Sequence, residues 1–192
     1  DDEQIRQAAV RFGAEVVTHG ETLEAASEHA HALARERGLI FVHPYDDSAV
    51  IAGQGTLALE MLAAVPSLDT LVISVGGGGL IGGVAAAARA LRPEIEVVGV
   101  QARRFPAMYN AVKGASLPQG ESTLADGMAV GRPVEITREM ISRLVSDVVL
   151  VDAPCSGLGT LRRKPEARWR LAAGDPERFA ATQRELVARF AR

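Results

Sequence analysis

Cysteine, lysine and aromatic residues are all scarce in this 192-residue chain. Its one cysteine, Cys155, excludes an internal disulfide framework and a multi-cysteine zinc site, and it fits a reducing, cytoplasmic setting. Of 21 basic residues only Lys113 and Lys164 are lysines, so chemistry that needs a Schiff-base lysine has two candidates. Long apolar runs are missing too. The longest, residues 71–88, carries six glycines, whereas a membrane span needs about 20 predominantly apolar residues, so no membrane partner is expected. The chain opens on Asp1 with no signal or transit segment, which reads as a fragment or a trimmed piece. What is present, 47% hydrophobic and 23% charged, is the composition of a soluble globular protein with one domain, or one domain and an appendage.

The net charge of −3 hides an imbalance. Residues 153–192 hold nine Lys/Arg against four Asp/Glu, a net of +5, which leaves −8 for residues 1–152. The single Trp (Trp169) and the single Cys lie in the basic part. This shift predicts two domains, 1–152 and 153–192, although a basic surface helix produces the same signal.

Before that boundary, helical and strand patterns alternate. Residues 14–18, 39–43, 68–75, 95–100 and 147–151 read as short apolar strands. Helices are predicted over 23–37, stopped at Gly38, over 54–64, over 82–91, stopped by Pro93, and over 137–144, capped by Thr137. Repeated strand–helix units predict an α/β fold, a mostly parallel sheet with helices on both faces.

The most informative stretch is Ser74-Val75-Gly76-Gly77-Gly78-Gly79-Leu80-Ile81-Gly82-Gly83, set between an apolar strand and an alanine-rich helix. Glycines there let the backbone turn tightly and aim several N–H groups at one point, and the helix start adds partial positive charge. The place suits a phosphate. Gly77, Gly79 and Gly82 also fit G-x-G-x-x-G, the dinucleotide fingerprint. Gln101, 19 positions beyond Gly82, stands where a ribose-binding acid is expected, and Arg103 and Arg104 follow, which suits a 2′-phosphate. An NADP-binding module is therefore an alternative on this spacing.

Wider text bears on the choice. Phe41-Val42-His43-Pro44-Tyr45-Asp46-Asp47, Val50-Ile51-Ala52-Gly53-Gln54-Gly55-Thr56 and Ala58-Leu59-Glu60 stand ahead of the SVGGGGL loop, and Leu124-Ala125-Asp126-Gly127-Met128-Ala129-Val130 follows it. With Gly13-Ala14-Glu15-Val16-Val17 and His19-Gly20, they resemble threonine/serine dehydratases and serine racemase, in that family's order and spacing, over residues 4–152. The resemblance implies a truncated type II pyridoxal-phosphate (PLP) fold. It also implies β-elimination of hydroxy amino acids to a 2-keto acid and ammonia. By the same resemblance Gly76, Gly77, Gly78, Gly79 and Leu80 supply N–H groups to the cofactor's phosphate, and Gly127 lies near its pyridine ring. It implies a small amino-acid substrate and leaves room for a homo-oligomer. His43, Gly53, Gly55 and Thr56 match motif positions without an assignable role. On structural grounds they read as a strand end, a turn and an N-cap.

Parts of the family's machinery are missing from the sequence. Its Ser-x-Lys-x-Arg-Gly lysine motif and its Ser-x-Gly-Asn-His substrate loop appear nowhere in the 192 residues. Lys113, in a polar connecting segment, reads as a solvated surface lysine. Some members hold a divalent metal at two carboxylates that correspond to Gln101 and Ala107, so no such site is expected. The Asp46-Asp47 pair and Glu60 lack metal spacing and read as a turn and a helix surface. Inactivity of this chain by itself is the expectation.

The tail belongs to different text. Asp152-Ala153-Pro154-Cys155-Ser156-Gly157-Leu158-Gly159-Thr160-Leu161-Arg162-Arg163, with a fitting helix around Arg184-Glu185, resembles motif IV of RNA cytosine-5 methyltransferases. Under that alternative, Asp152 would bond the target cytosine and Cys155 would assist product release, with S-adenosylmethionine as methyl donor and RNA as partner. The family's S-adenosylmethionine loop and its nucleophilic Thr-Cys-Ser motif are absent. Cys155 also reads as a small buried residue or an inert thiol. The basic residues around Trp169 read equally as an RNA-binding surface or a solvated face.

Overall fold

The structure, a computed structural model, describes residues 2–20, 23–120 and 128–151, with six helical positions between 177 and 185. Two compact units are distinguished, one carried by residues up to Val42 and the other beginning at His43.

The first unit contains α1 (Asp2–Arg11), which the hydrophobic pattern did not reveal, and α2 (Leu23–Arg37). Gly38 ends α2 with φ +66°, a left-handed conformation that costs glycine nothing. The strands expected at 14–18 and 39–43 are not formed. An isolated extended segment leaves its ladder groups unpaired, and no partner strand lies among the described residues of this unit. Side chains link these segments to α2 instead. Arg37 Nη1 meets both carboxylate oxygens of Glu15 at 2.8 and 2.9 Å. The His19 ring stacks on His29 at 4.0 Å, and His31 lies 3.9 Å from the Phe41 ring.

The second unit holds the sheet. Strands β1 (Thr70–Val75), β2 (Glu96–Ala102) and β3 (Asp147–Val151) are parallel in the order β1-β2-β3, with Val72 opposite Val98 and Val98 opposite Asp147. Helix α4 (Gly79–Leu91) connects the first pair, and α5 (Ala107–Lys113) with α6 (Glu135–Leu144) connects the second. Both crossovers step the same way across the sheet, so right-handed connections set their helices on one face. There Leu71, Ile73 and Val75 of β1, Val97 of β2 and Val148 of β3 meet Ile81, Val84, Ala85 and Ala88 of α4, Met108 of α5 and Ile141 of α6. The helices expected on both faces are found on this one among the described residues. Val72, on the other face, is 61% exposed.

Helix α3 (Ser48–Ala64) starts six residues before the expected position because Asp47 caps it, its carboxylate accepting from Ala49 and Val50 N–H at 2.8 and 3.0 Å. Gly53, Gly55 and Thr56 are therefore helix residues, not a turn and a cap. The Thr56 hydroxyl donates to the Gly53 carbonyl one turn back. Helix α5 is new as well, in what reads as a connecting segment. Arg89 fastens the far end of α4: its guanidinium donates to Leu144 O at 2.6 Å, Ser146 Oγ at 3.0 Å and Pro93 O at 3.1 Å. The first of these satisfies a carbonyl at the C-terminal end of α6, where a cation is favourable.

Helices α3 and α4 cross backbone to backbone. A Cβ on Gly83 would run into the Ile51 carbonyl, and one on Gly55 would lie 2.9 Å from the Gly83 carbonyl. Gly53, two residues earlier on α3, has nothing within 4 Å. Gly83→Ala is expected to destabilise by about 1–3 kcal/mol through overpacking. By contrast, Gly53→Ala should stabilise by about 0.5–1 kcal/mol through helix propensity. Urea-unfolding midpoints of the two variants, at unchanged slope, check this, and equal shifts would contradict the close crossing.

Candidate functional site

The site is built on the turn between β1 and α4. Buried Val75 ends the strand, Gly77, Gly78 and Gly79 are buried, and Gly76 and Leu80 are half-buried. Gly78 caps the helix in the left-handed region, φ +94°, ψ −9°. The first intrahelical bond runs from Gly82 N–H to Gly78 O, so the N–H groups from Gly78 to Ile81 have no acceptor within the helix. Four donors and the positive end of a 13-residue helix thus converge on one place.

Side chains from three other elements crowd the back of this turn. A Cβ on Gly77 would fall inside the Tyr45 ring. One on Gly79 would lie 2.8 Å from the Tyr45 carbonyl, and one on Gly78 2.8 Å from Thr137 Cβ and 3.1 Å from Met108 Cε. Glycine is needed at Gly78 twice over, for conformation and for room. Burial, with the Asp46 carboxylate next in importance, raises the Tyr45 phenol above its ordinary pKa of 10.0.

Thr137 is wholly buried, and its hydroxyl donates to Gly77 O at 2.8 Å. It is not the cap of α6, as expected, but lies in the first turn, after an N-cap valine that offers no side-chain acceptor. Asp46 supplies one from elsewhere: its Oδ1 accepts from Thr137 N–H at 3.1 Å. Asp46 N–H in turn donates to His43 Nδ1 at 2.8 Å, and Tyr45 N–H to the same atom at 3.3 Å. His43, expected at a strand end, instead organises the bend ahead of α3.

The chain belongs to the pyridoxal-phosphate dependent enzyme family, whose family model matches residues 2–154. Within that family it is similar to the L-threonine ammonia-lyase of Thermotoga maritima, with 40% identity over 73% of this chain and 36% of that protein. Among solved structures it is similar to the processed form of threonine deaminase isoform 2 from Solanum lycopersicum, with a TM-score of 0.71, 33% identity and coverage of 84% and 48% of the two chains. It is also similar to maize serine racemase, with a TM-score of 0.70, 27% identity and coverage of 83% and 49%. The chain therefore spans less than half the length of each of these relatives. A second family model, 16S rRNA methyltransferase RsmB/F, matches residues 124–191.

The cofactor named by the family fits the turn: its phosphate is an anion, and the turn offers N–H groups, from Gly78 to Ile81, that have no acceptor within the helix. Of the residues expected to hold it, Gly76 to Leu80 are together here. Gly127 lies outside the described residues, as do Asp152, Cys155, Lys164 and Trp169. Gln101 is 1% exposed, and its Oε1, the atom an amide offers a cation, already accepts from Tyr109 N–H at 2.8 Å. Tyr45, Asp46 and Thr137 are the site residues that sequence reasoning missed. Asp46 and Tyr45 stood inside a quoted motif, but nothing local ties them to a glycine run some 30 residues on, nor Thr137 to one 60 residues back.

Lys113 is not a free surface lysine. Its ammonium pairs with Asp147 Oδ1 at 2.5 Å. Asp147 is level with Val72 in the sheet, and Gly76 lies four residues further along β1, about 13 Å at 3.3 Å per residue. The ion pair thus lies back along the sheet from the glycine turn. The hydrogen bond from Lys113, with a smaller contribution from Val148 N–H, holds the Asp147 carboxyl below its ordinary 3.8 despite some desolvation. A depressed carboxylate contributes stability above 3.8 and loses it as pH falls through the native pKa. Carboxyl NMR titration should therefore place Asp147 below 3.8, and Lys113→Ala should return it toward that value. The pair is exposed, so the same variant should cost at most about 1 kcal/mol.

Proposed function

We infer that this chain carries the phosphate-holding segment of a PLP-dependent ammonia-lyase acting on a small 2-amino-3-hydroxy acid, threonine or serine. The observation that carries the reading is the glycine-rich turn into α4, whose N–H groups from Gly78 to Ile81 have no acceptor within the helix, in a chain of this family. The N–H groups from Gly78 to Ile81 would hold the phosphate, and Gly127 would lie beside the ring. When bound, the cofactor supplies an electron sink for the substrate's α-carbon. The residues of this chain would bind and orient it, and the turn's burial would keep competing water off the phosphate.

Proton transfer is the part these residues do not supply. The family's lysine motif is not in the sequence, and Lys113 is paired about 13 Å along the sheet from the turn. We read the chain as binding cofactor without turning over hydroxy amino acids at an enzymatic rate. In this reading residues 153–192 form a methyltransferase-like segment; the second family match, over residues 124–191, supports that resemblance and overlaps the first match up to residue 154. A cytoplasmic setting accords with a substrate drawn from free amino acids.

Calorimetric titration with PLP, inorganic phosphate and NADPH tests the site. PLP should bind more tightly than phosphate, and both more tightly than NADPH. Tighter binding of NADPH would move the turn to the dinucleotide class. Release of 2-keto acid from threonine should be no faster with protein and PLP than with PLP alone. A well-placed acid–base group typically contributes about 10²- to 10⁴-fold. An acceleration of that size that Lys113→Ala abolishes would show a catalytic lysine and sink the claim of inactivity.

A further inference from the structure

We propose that Thr137, held in place by Asp46, is a positioning residue that sets the anion-binding conformation of the glycine turn. The inference rests on the phosphate reading of that turn. Four adjacent glycines have broad, nearly symmetric access to backbone conformations, so the run itself does not select one. Something outside it must. Among the described residues the Thr137 hydroxyl is a buried side-chain donor that reaches the run: it lies 2.8 Å from Gly77 O, against 3.4 Å from its other acceptor, Val134 O.

That single bond orients the donor beside it. The Gly77–Gly78 peptide is planar and trans, so its carbonyl oxygen and the Gly78 N–H point in opposite directions. Fastening the oxygen to α6 turns the N–H away from α6. There it heads the set of N–H groups at the start of α4. Released, the peptide is free to rotate and to present its carbonyl, a negative dipole end, where the phosphate should sit. Thr137 touches no ligand in this scheme. It acts through Gly78.

Asp46 makes the threonine reliable. Its Oδ1 takes the Thr137 N–H at 3.1 Å, and its own N–H is tied to His43 Nδ1 at 2.8 Å. The bend ahead of α3, the first turn of α6 and the glycine turn are thereby joined in one connected set of hydrogen bonds. The Tyr45 ring, set against Gly77, occupies space through which that residue could otherwise move.

A merely structural threonine would cost stability when changed and leave ligand affinity alone in the folded fraction. The test therefore reads binding at a temperature where each variant is shown to be folded by circular dichroism. It uses PLP and inorganic phosphate as probes, with the ¹H–¹⁵N signal of Gly78 followed on phosphate addition. In the unaltered chain both probes should bind, and the Gly78 amide should move downfield. Thr137→Val, of equal size but without the hydroxyl, should weaken both probes at least about tenfold and abolish that shift. Thr137→Ser should restore both, and Asp46→Asn, which keeps an acceptor oxygen, should stay within about threefold. Unaltered affinity in folded Thr137→Val, with binding intact in the parent, would overturn the positioning role alone. If the parent binds neither probe, the phosphate reading fails and this inference goes with it. Should Thr137→Val not fold, Thr137→Ser against Thr137→Ala gives the same comparison, and equal affinities in that pair would also overturn it.

Discussion

Close approach of backbone to other atoms is the constraint on which the second unit depends. It occurs twice along α4. At its start, Gly77, Gly78 and Gly79 admit the Tyr45 ring, the Tyr45 carbonyl and Thr137 into the space a side chain would fill. In its second turn, Gly83 lets α3 come down on α4 until main chain meets main chain at Ile51 and Gly55. Both contacts bring the α3 region against α4, and they are a few residues apart. The helix crossing thus fixes where Tyr45 and Asp46 arrive, and their arrival fixes the turn. A site made of N–H groups has no side chains to adjust, so its geometry must be imposed from behind. The dense glycine usage between 76 and 83 is the cost of that arrangement, since each glycine gives up more entropy on folding than a residue with a side chain.

How much of this was legible in the sequence follows from how local each signal is. Strands β1, β2 and β3 are short β-branched runs between helix patterns, and all three stand close to where they were expected, as do α2 and the body of α4. The glycine run was legible for the same reason: strand, glycines and helix are contiguous. Helix α3 was read from residue 54 because Gly53 and Gly55 look like turn residues, although Asp47 ahead of an apolar run is an ordinary N-cap signal. Tertiary packing overrode propensity there. Gly55 is helical because α4 needs it small. The expected strands 14–18 and 39–43 failed for the converse reason, since β-propensity without a pairing partner does not make a ladder. The Asp46–Thr137–Gly77 connection was beyond any local reading, because it joins residues 91 and 60 positions apart.

The sheet carries a further trace of its context. Parallel strands covered on both faces read as continuous apolar runs rather than as alternation. Leu71-Val72-Ile73, Val97-Val98 and Val148-Val149-Leu150-Val151 all read that way. Among the described residues the helices cover one face and leave Val72 open, so the pattern of these strands asks for more cover than those helices supply. The relatives, each more than twice as long as the matched stretch, are consistent with that demand.

On the proposed function, anchor and chemistry are separated. A phosphate is remote from the reacting carbon, and binding energy gathered there serves orientation rather than bond breaking. An anchor of this kind needs a strand, a turn, a helix and the few contacts that hold the turn, all of which lie between His43 and Leu144 here. On that reading the chemistry needs a lysine beside the ring, and Lys113 is paired with Asp147. Its partner Asp147 opens β3, level with Val72 and Val98 rather than with the glycine turn. In a parallel sheet all strand C-termini share one edge, where ligand-facing turns gather, and the Lys113–Asp147 pair sits at the start of β3 instead. On the proposed reading Lys113, at the C-terminal end of α5 and paired with Asp147, serves the frame of the sheet rather than the reaction.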